Sequence, residues 1–215
     1  GYVFQHISLN GNLSNRKFDG NLVVDDPNLA LNFTGLLNLD SKVPIFDFVL
    51  NLPYANLVAL NLDSLNTRSE LAFGMTANFS GNNIDNFDGL IQVYNGKYTN
   101  QNNGLEFENL TVNTHLDEKI SRIDLNSDYF DGSITGTYHF NSLIESFRIV
   151  LARYLPSLSI PVTETGNSNQ FSFKFFAREL NELTAVFIPG LQIKTPFSLT
   201  GSIDSQNGAL ETEGA

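Results

Sequence analysis

Apolar side chains recur at every second position through most of this chain, and no other feature of the sequence limits its fold as sharply. Phe18, Gly20, Leu22 and Val24 alternate with Asp19 and Asn21. Leu29, Leu31, Phe33, Leu37 and Leu39 stand against Ala30, Asn32, Thr34 and Asn38, and Phe46, Phe48, Leu50 and Leu52 against Asp47 and Asn51. Further runs are Leu71, Phe73, Met75, Ala77 and Phe79, then Phe87, Ile91 and Val93, then Phe130, Ile134, Tyr138 and Phe140. Phe171, Phe173 and Phe175, and finally Ile193, Phe197, Leu199 and Ile203, complete the pattern. A strand buried on one face only has this period of two, whereas parallel strands covered on both faces read as unbroken Val/Ile runs. The expected fold is mainly β: a curved antiparallel sheet, apolar on one face and polar on the other.

A second regularity sets the curvature. Aromatic or Leu, any residue, Gly, any residue, apolar occurs at Phe18–Leu22, Phe33–Leu37, Phe87–Ile91, Phe130–Ile134 and Leu199–Ile203. The glycine falls on the apolar face each time. A missing side chain there leaves room for a neighbouring ring and lets the strand bend, so the repeat implies a sheet folded into a groove. The competing expectation from the same residues is a structural or adhesion module of the cell envelope, a closed β-sandwich in which the Phe-rich faces are simply core.

Turns are expected at Asp25-Asp26-Pro27-Asn28, Asp40-Ser41-Lys42, Gly81-Asn82-Asn83, Asn95-Gly96 and Asn100 to Gly104. Two stretches leave the period of two. Leu143, Ile144, Phe147, Val150, Leu151 and Tyr154 form a helical stripe, with Ser142 and Glu145 as a capping box, Arg153 in the last turn and Pro156 as a stop. This predicts a helix over 142–155, an insertion spanning 141–156, that covers apolar surface as a lid, plug or end-cap. A shorter helix is expected near 178–187, ended by Pro189-Gly190. The whole of 1–215 reads as one β segment. It opens at Gly1, with a strand expected from Val3 to Leu9, closes on another from Ala209 to Glu213, and has no start Met, as a piece of a larger protein would.

Composition argues against several classes of function. The chain has 215 residues, 18 Phe, no Trp and no Cys, which leaves no disulfide, thiolate metal site or Cys nucleophile. A net charge of −11 opposes nucleic acid and offers no basic patch to an anionic membrane. No apolar run is long enough to span a bilayer. His6, His115 and His139 lack metal-ligand spacing, and no nucleophile elbow, P-loop or dinucleotide fingerprint occurs. Asp124-x-Asn126-x-Asp128 begins like a calcium loop, but Tyr129 and Thr135 replace the Gly and Glu such a loop needs. Four Asn-x-Ser/Thr sequons, at Asn12, Asn32, Asn78 and Asn109, are what an Asn-rich chain gives by chance. The expectation is a protein that is not an enzyme, with no catalytic residue, metal or cofactor.

The stretch Val23-Val24-Asp25-Asp26-Pro27-Asn28-Leu29-Ala30-Leu31-Asn32-Phe33-Thr34-Gly35, followed by Pro44-Ile45-Phe46-Asp47-Phe48 and by Ala55-Asn56-Leu57 to Leu60-Asn61-Leu62, resembles the TamB/AsmA-like proteins of the Bacteroidetes group. Leu183, Phe187, Pro189, Leu191 and Ile193, leading into Leu199-x-Gly201, are similar to a downstream part of the same proteins. The resemblance implies a tall sheet folded into a U-shaped, β-taco-like groove, set in the periplasm, with the parent protein anchored in the inner membrane. It implies phospholipid acyl chains as the cargo and an outer-membrane assembly protein as a partner. The groove lining would be Phe18, Leu22, Phe33 and Leu37, then Phe46, Phe48, Leu50, Phe73, Met75 and Phe79. Phe87, Ile91, Phe130, Ile134, Tyr138, Phe197 and Leu199 would continue it. Such a trough needs no specific hydrogen bonds, because burying an acyl chain releases about 0.8 kcal/mol per CH₂.

Overall fold

A computed structural model of the chain describes residues 1–117, 120–140, 142–143, 145–146, 169–187, 190–207 and 209–214. Twelve strands follow one another in a single sheet whose spatial order is the order of the chain. They are β1 (Ile7–Ser14), β2 (Lys17–Asp26), β3 (Leu29–Asn38), β4 (Ile45–Asn56), β5 (Ser69–Ser80) and β6 (Asp88–Asn100). The second half comprises β7 (Gly104–Leu116), β8 (Ser121–Ser127), β9 (Phe130–Thr137), β10 (Gln170–Ala177), β11 (Phe197–Asp204) and β12 (Ala209–Gly214). Every neighbouring pair is antiparallel. Among the described residues the sheet is curved and does not close: β1 pairs only with β2, and β12 only with β11. It is one layer rather than two facing ones, so the closed sandwich is not the architecture of the described residues.

Register turns the period of two into rows that cross the whole sheet. One row runs Leu13, Phe18, Leu37, Phe46, Phe79, Gly89, Thr114, Ile123, Ile134, Phe173, Gly201 and Thr212. The next runs Gly11, Gly20, Gly35, Phe48, Ala77, Ile91, Val112, Leu125, Gly132, Phe175, Leu199 and Gly214. Between them on the opposite face lie Asn12, Asp19, Leu36, Asp47, Asn78, Leu90, Asn113, Asp124, Ser133, Lys174, Thr200 and Glu213. A one-residue slip in any strand would carry its apolar set to the wet side, so each pairing locks the next.

All five motif glycines lie on the apolar face. Gly35 has φ +148°, and a Cβ there would sit 2.3 Å from the Asp47 carbonyl oxygen and 2.6 Å from the Phe48 Cβ. Only Gly fits that approach, and it kinks β3 where Phe48 needs space. Beyond the rows, register shifts between Ala30/Asn32, Leu52/Ala55 and Ala72/Gly74 form a line of bulges across β3 to β6. Bulges bend a strand and raise its twist, and they let the alternation change phase without exposing apolar residues.

Three local expectations need correction. The first strand lies at Ile7–Ser14 rather than Val3–Leu9. His6, at φ 47°, breaks the chain there, and a two-residue turn at Asn15-Arg16, with φ 45° and 60°, closes the hairpin. Asn95-Gly96 is no turn but lies inside β6, where Asn95 takes φ 50° at the bulge. Gly96 lies beneath the Phe107 ring, 2.1 Å from where a Cβ would be. The capping box at Ser142 and Glu145 is displaced as well. Phe140 is already helical, so Ser142 lies inside the first turn and its hydroxyl donates to the His139 carbonyl at 3.0 Å. Of the helix expected over 142–155, Ser142, Leu143, Glu145 and Ser146 are helical; the rest lies outside the described residues. The second helix forms at Asn181–Phe187, within the expected 178–187.

Candidate functional site: an apolar groove

The rows of Phe, Leu, Ile and Val border a cavity of about 1030 Å³ on the apolar face. Its walls come from β4 to β11, from Phe46 and Phe79 on one side to Phe173, Phe175 and Leu199 on the other, with Ile91, Val112, Ile123, Leu125 and Ile134 between. Asn82 and Asn83, from the β5–β6 connection, and Phe140 and Leu143 also line it. Those two asparagines satisfy one another and the following 3₁₀ turn, Ile84–Asn86. The Asn83 carboxamide oxygen accepts from the Asp85 and Asn86 amides at 2.8 and 3.2 Å, and Asn86 Nδ2 donates to Asn82 Oδ1 at 2.8 Å.

Aromatic rings pave the floor. Phe46 stacks on Phe79 with centroids 4.5 Å apart and planes 18° apart, and Phe79 meets Phe87 at 4.6 Å. Phe18, Phe33 and Phe48 form a second chain at 6.0 and 5.1 Å, and Phe130, Phe175 and Phe197 a third at 5.6 and 5.9 Å. Each contact of this kind adds about 0.5–1.5 kcal/mol beyond burial.

Of the residues read from sequence as lining, Phe46, Phe79, Phe87, Ile91, Ile134 and Leu199 border the cavity directly. Phe18, Leu37 and Phe48 share its rows but stand nearer β1 or on the adjoining floor. Leu22, Phe33, Leu50 and Met75 form a third row, aligned strand to strand, while Phe130 and Phe197 face each other across Ala177 of β10. Phe73 lies one step further, opposite Leu52. Tyr138 follows β9 and meets the Phe171 ring edge-on at 6.1 Å. Sequence reasoning missed Val112, Ile123, Leu125, Phe173, Phe175 and Leu143. The Phe171–Phe175 alternation pointed to two of them, and Ile123 and Leu125 flank Asp124 in the same rhythm.

Two segments of the chain fold onto the groove and close parts of it. The β4–β5 connection brings Leu57 and Leu60 down on Leu52, Ala55, Leu71 and Phe73, joined by Tyr2 from the N-terminal arm. At the opposite rim, Leu143 packs with Phe171, Phe173 and Ile203, and Ile134, Tyr138 and Leu210 flank them. A buried polar knot holds this helical turn. Asn169, fully buried, donates to the Ser142 and Ser146 hydroxyls at 2.9 and 2.6 Å, and its carboxamide oxygen accepts from the His139 amide at 2.8 Å. The Phe140 amide donates to the Asp85 carboxylate, tying the turn to the other side of the mouth. Burial, with Asp124 adding repulsion, pushes the Tyr138 phenol up to about 12. Its hydroxyl is buried without a hydrogen-bond partner among the described residues.

The acidic residues that imitate a calcium loop do not converge. Asp124 pairs with Arg122 at 2.6 and 2.8 Å, and Asn126 binds Asp131. Asp128 accepts from the Glu108 and Asn109 amides, holding the backbone where β7 changes phase. Among the described residues no group of three or more His, Asp or Glu could hold a metal. His6 lies beside the Asp25 carbonyl, His115 is 3.9 Å from Asp88, and His139 is exposed. No helix among the described residues is long and apolar enough to cross a membrane. No family model matches the chain, and no curated protein or solved structure is similar to it.

Proposed function

We propose that the chain is a hydrophobic-groove segment of a TamB/AsmA-like envelope protein. In this reading it binds acyl chains in the periplasm and conducts phospholipid between inner and outer membranes. The observation that carries the reading is the cavity: about 1030 Å³, walled by Phe, Ile, Leu and Val from eight consecutive strands and left unfilled by the described residues. At roughly 30 Å³ per water-sized unit, it has room for on the order of thirty such units, and a methylene is close to water in size, so the two tails of a diacyl lipid would fit. Aromatic and aliphatic walls without a converging set of polar groups suit a flexible apolar tail better than a small polar substrate. The outer face, carrying Asp19, Asp47, Asn78, Asn113 and Asp124, keeps such a trough in solution. A parent protein anchored in the inner membrane, and an outer-membrane assembly protein at its far end, complete the proposal.

Transfer of a fluorescent phospholipid from donor to acceptor vesicles tests it. The protein should accelerate transfer in proportion to its concentration. Transfer no faster than the spontaneous rate, with no lipid bound to the protein, would remove the proposal's support.

A further inference from the structure

Asn-Gly is the dipeptide that loses its side-chain amide most readily, because the Gly residue carries no Cβ to hinder its nitrogen as it approaches the Asn carboxamide carbon. Two such pairs, Asn95-Gly96 and Asn103-Gly104, lie close together on β6 and on the turn that follows it. Backbone hydrogen bonding sets them apart. The Asn100 amide donates to the Asn103 carbonyl at 2.9 Å, which makes that pair a hydrogen-bonded one. Antiparallel pairs alternate in this respect, so the next pair, Thr99 and Gly104, is not hydrogen-bonded and the Gly104 N–H points away from β6. On its other side β8 pairs with β7 only from Leu110 onward, which leaves the Gly104 N–H without a ladder partner among the described residues. The same alternation, carried along unbroken register, makes Gly96 and Phe107 a hydrogen-bonded pair and ties up the Gly96 N–H. Gly96 is also buried beneath the Phe107 ring, whereas Gly104 is exposed.

The Asn103 side chain makes a contact that depends on its amide. Nδ2 donates to the Ala185 carbonyl of the Asn181–Phe187 helix at 2.8 Å. That helix packs against β7, with Thr184 buried, and a second tether is the Glu182 carboxylate, which accepts from the Tyr129 hydroxyl at 2.7 Å. A carboxylate at position 103 could only accept hydrogen bonds. It would face a carbonyl oxygen in the last turn of the helix, the end that already carries partial negative charge.

We propose that Asn103-Gly104 is a self-modification site, whose spontaneous deamidation releases the Asn181–Phe187 helix from β7. The Gly104 nitrogen attacks Asn103 Cγ. A new N–C bond forms, the C–N bond of the carboxamide breaks, and ammonia leaves with the proton of the Gly104 amide. Solvent water then opens the cyclic imide at either carbonyl, giving aspartate or isoaspartate. The balance needs no oxidant or reductant. The product is irreversible, so the released fraction grows with the age of the molecule. Neither residue lines the cavity, and the site stands apart from lipid binding.

Ageing of the purified protein at mildly alkaline pH, followed by peptide mapping and hydrogen exchange, tests the site. Conversion of Asn103 to aspartate and isoaspartate should run at least about tenfold faster than conversion of Asn95, whose nucleophile is held in the ladder. In Gly104→Ala the added Cβ meets nothing closer than 3.5 Å, so the variant should fold and should convert far more slowly. Amides of the Asn181–Phe187 helix should exchange about fivefold faster in aged wild type and in fresh Asn103→Asp, the factor set by one lost hydrogen bond. Aged Gly104→Ala should exchange like the fresh protein. Conversion of Asn103 no faster than that of Asn95 overturns the proposal. Helix exchange that is the same in fresh, aged and Asn103→Asp protein overturns it too.

Discussion

Placing a carboxylate on the groove floor separates an open trough from a packed core. Phe79 sits between Phe46 and Phe87, at 4.5 and 4.6 Å, and borders the cavity. Phe79→Asp removes both ring contacts, about 1–3 kcal/mol together, and the apolar area of a half-buried ring, about 1 kcal/mol. In a dry core the new charge would cost several kcal/mol more, enough to erase most of a stability of about 5–15 kcal/mol. Beside an open cavity the carboxylate keeps water, so the expected loss is about 2–4 kcal/mol with cooperative urea unfolding retained. A charge at that point should weaken binding of a fluorescent fatty acid by tenfold or more. Phe79→Leu, which keeps an apolar surface, should bind nearly as well as the wild type. Phe48→Asp and Ile134→Asp extend the test to other strands, and Asp47→Ala and Thr34→Ala, on the opposite face, should alter neither quantity. Loss of cooperative unfolding in all three floor variants, or fatty-acid affinity unchanged by them, would refute the reasoning.

Other predictions follow from single residues. The Tyr138 hydroxyl is buried without a partner among the described residues, so Tyr138→Phe should raise the urea midpoint, by about 1 kcal/mol in stability. The folded protein holds the Tyr138 proton up to about 12 while the unfolded chain loses it near 10, so wild-type stability should fall between pH 10 and 12; the decline should be shallower in Tyr138→Phe. Gly35→Ala must put a Cβ 2.3 Å from a backbone oxygen at φ +148° and should cost about 1–3 kcal/mol in thermal or urea unfolding. Asn169→Ala strands two hydroxyls and the His139 amide and should destabilise by about 2–3 kcal/mol. A chelator should leave the melting temperature unchanged, because Asp124 and Asp128 are bound to Arg122 and to backbone amides.

The sheet was legible because each strand buries one face, which writes its period into local sequence. The glycines were legible too, since five of them keep the same phase. Where tertiary contacts decide, local signals misled. Asn95-Gly96 has the composition of a hairpin turn, yet the Tyr94 ring over Gly74 and the Phe107 ring over Gly96 hold it inside a bulged strand. The hairpin at Asn15-Arg16 lacks the usual second-position Gly and left the first strand misplaced by several residues. The cavity lining was read from strands rich in Phe. Val112, Ile123 and Leu125 escaped because their strands carry single aliphatic residues among Thr, Asn and Asp, and only pairing to β6 and β9 puts them on the floor.

Native mass spectrometry of gently purified protein tests lipid binding most directly. The groove predicts a population carrying adducts of diacyl-lipid mass, released by organic extraction, and depleted in Phe79→Asp but not in Phe79→Leu. A wild-type protein that is uniformly ligand-free and takes up no lipid when offered it would contradict the account.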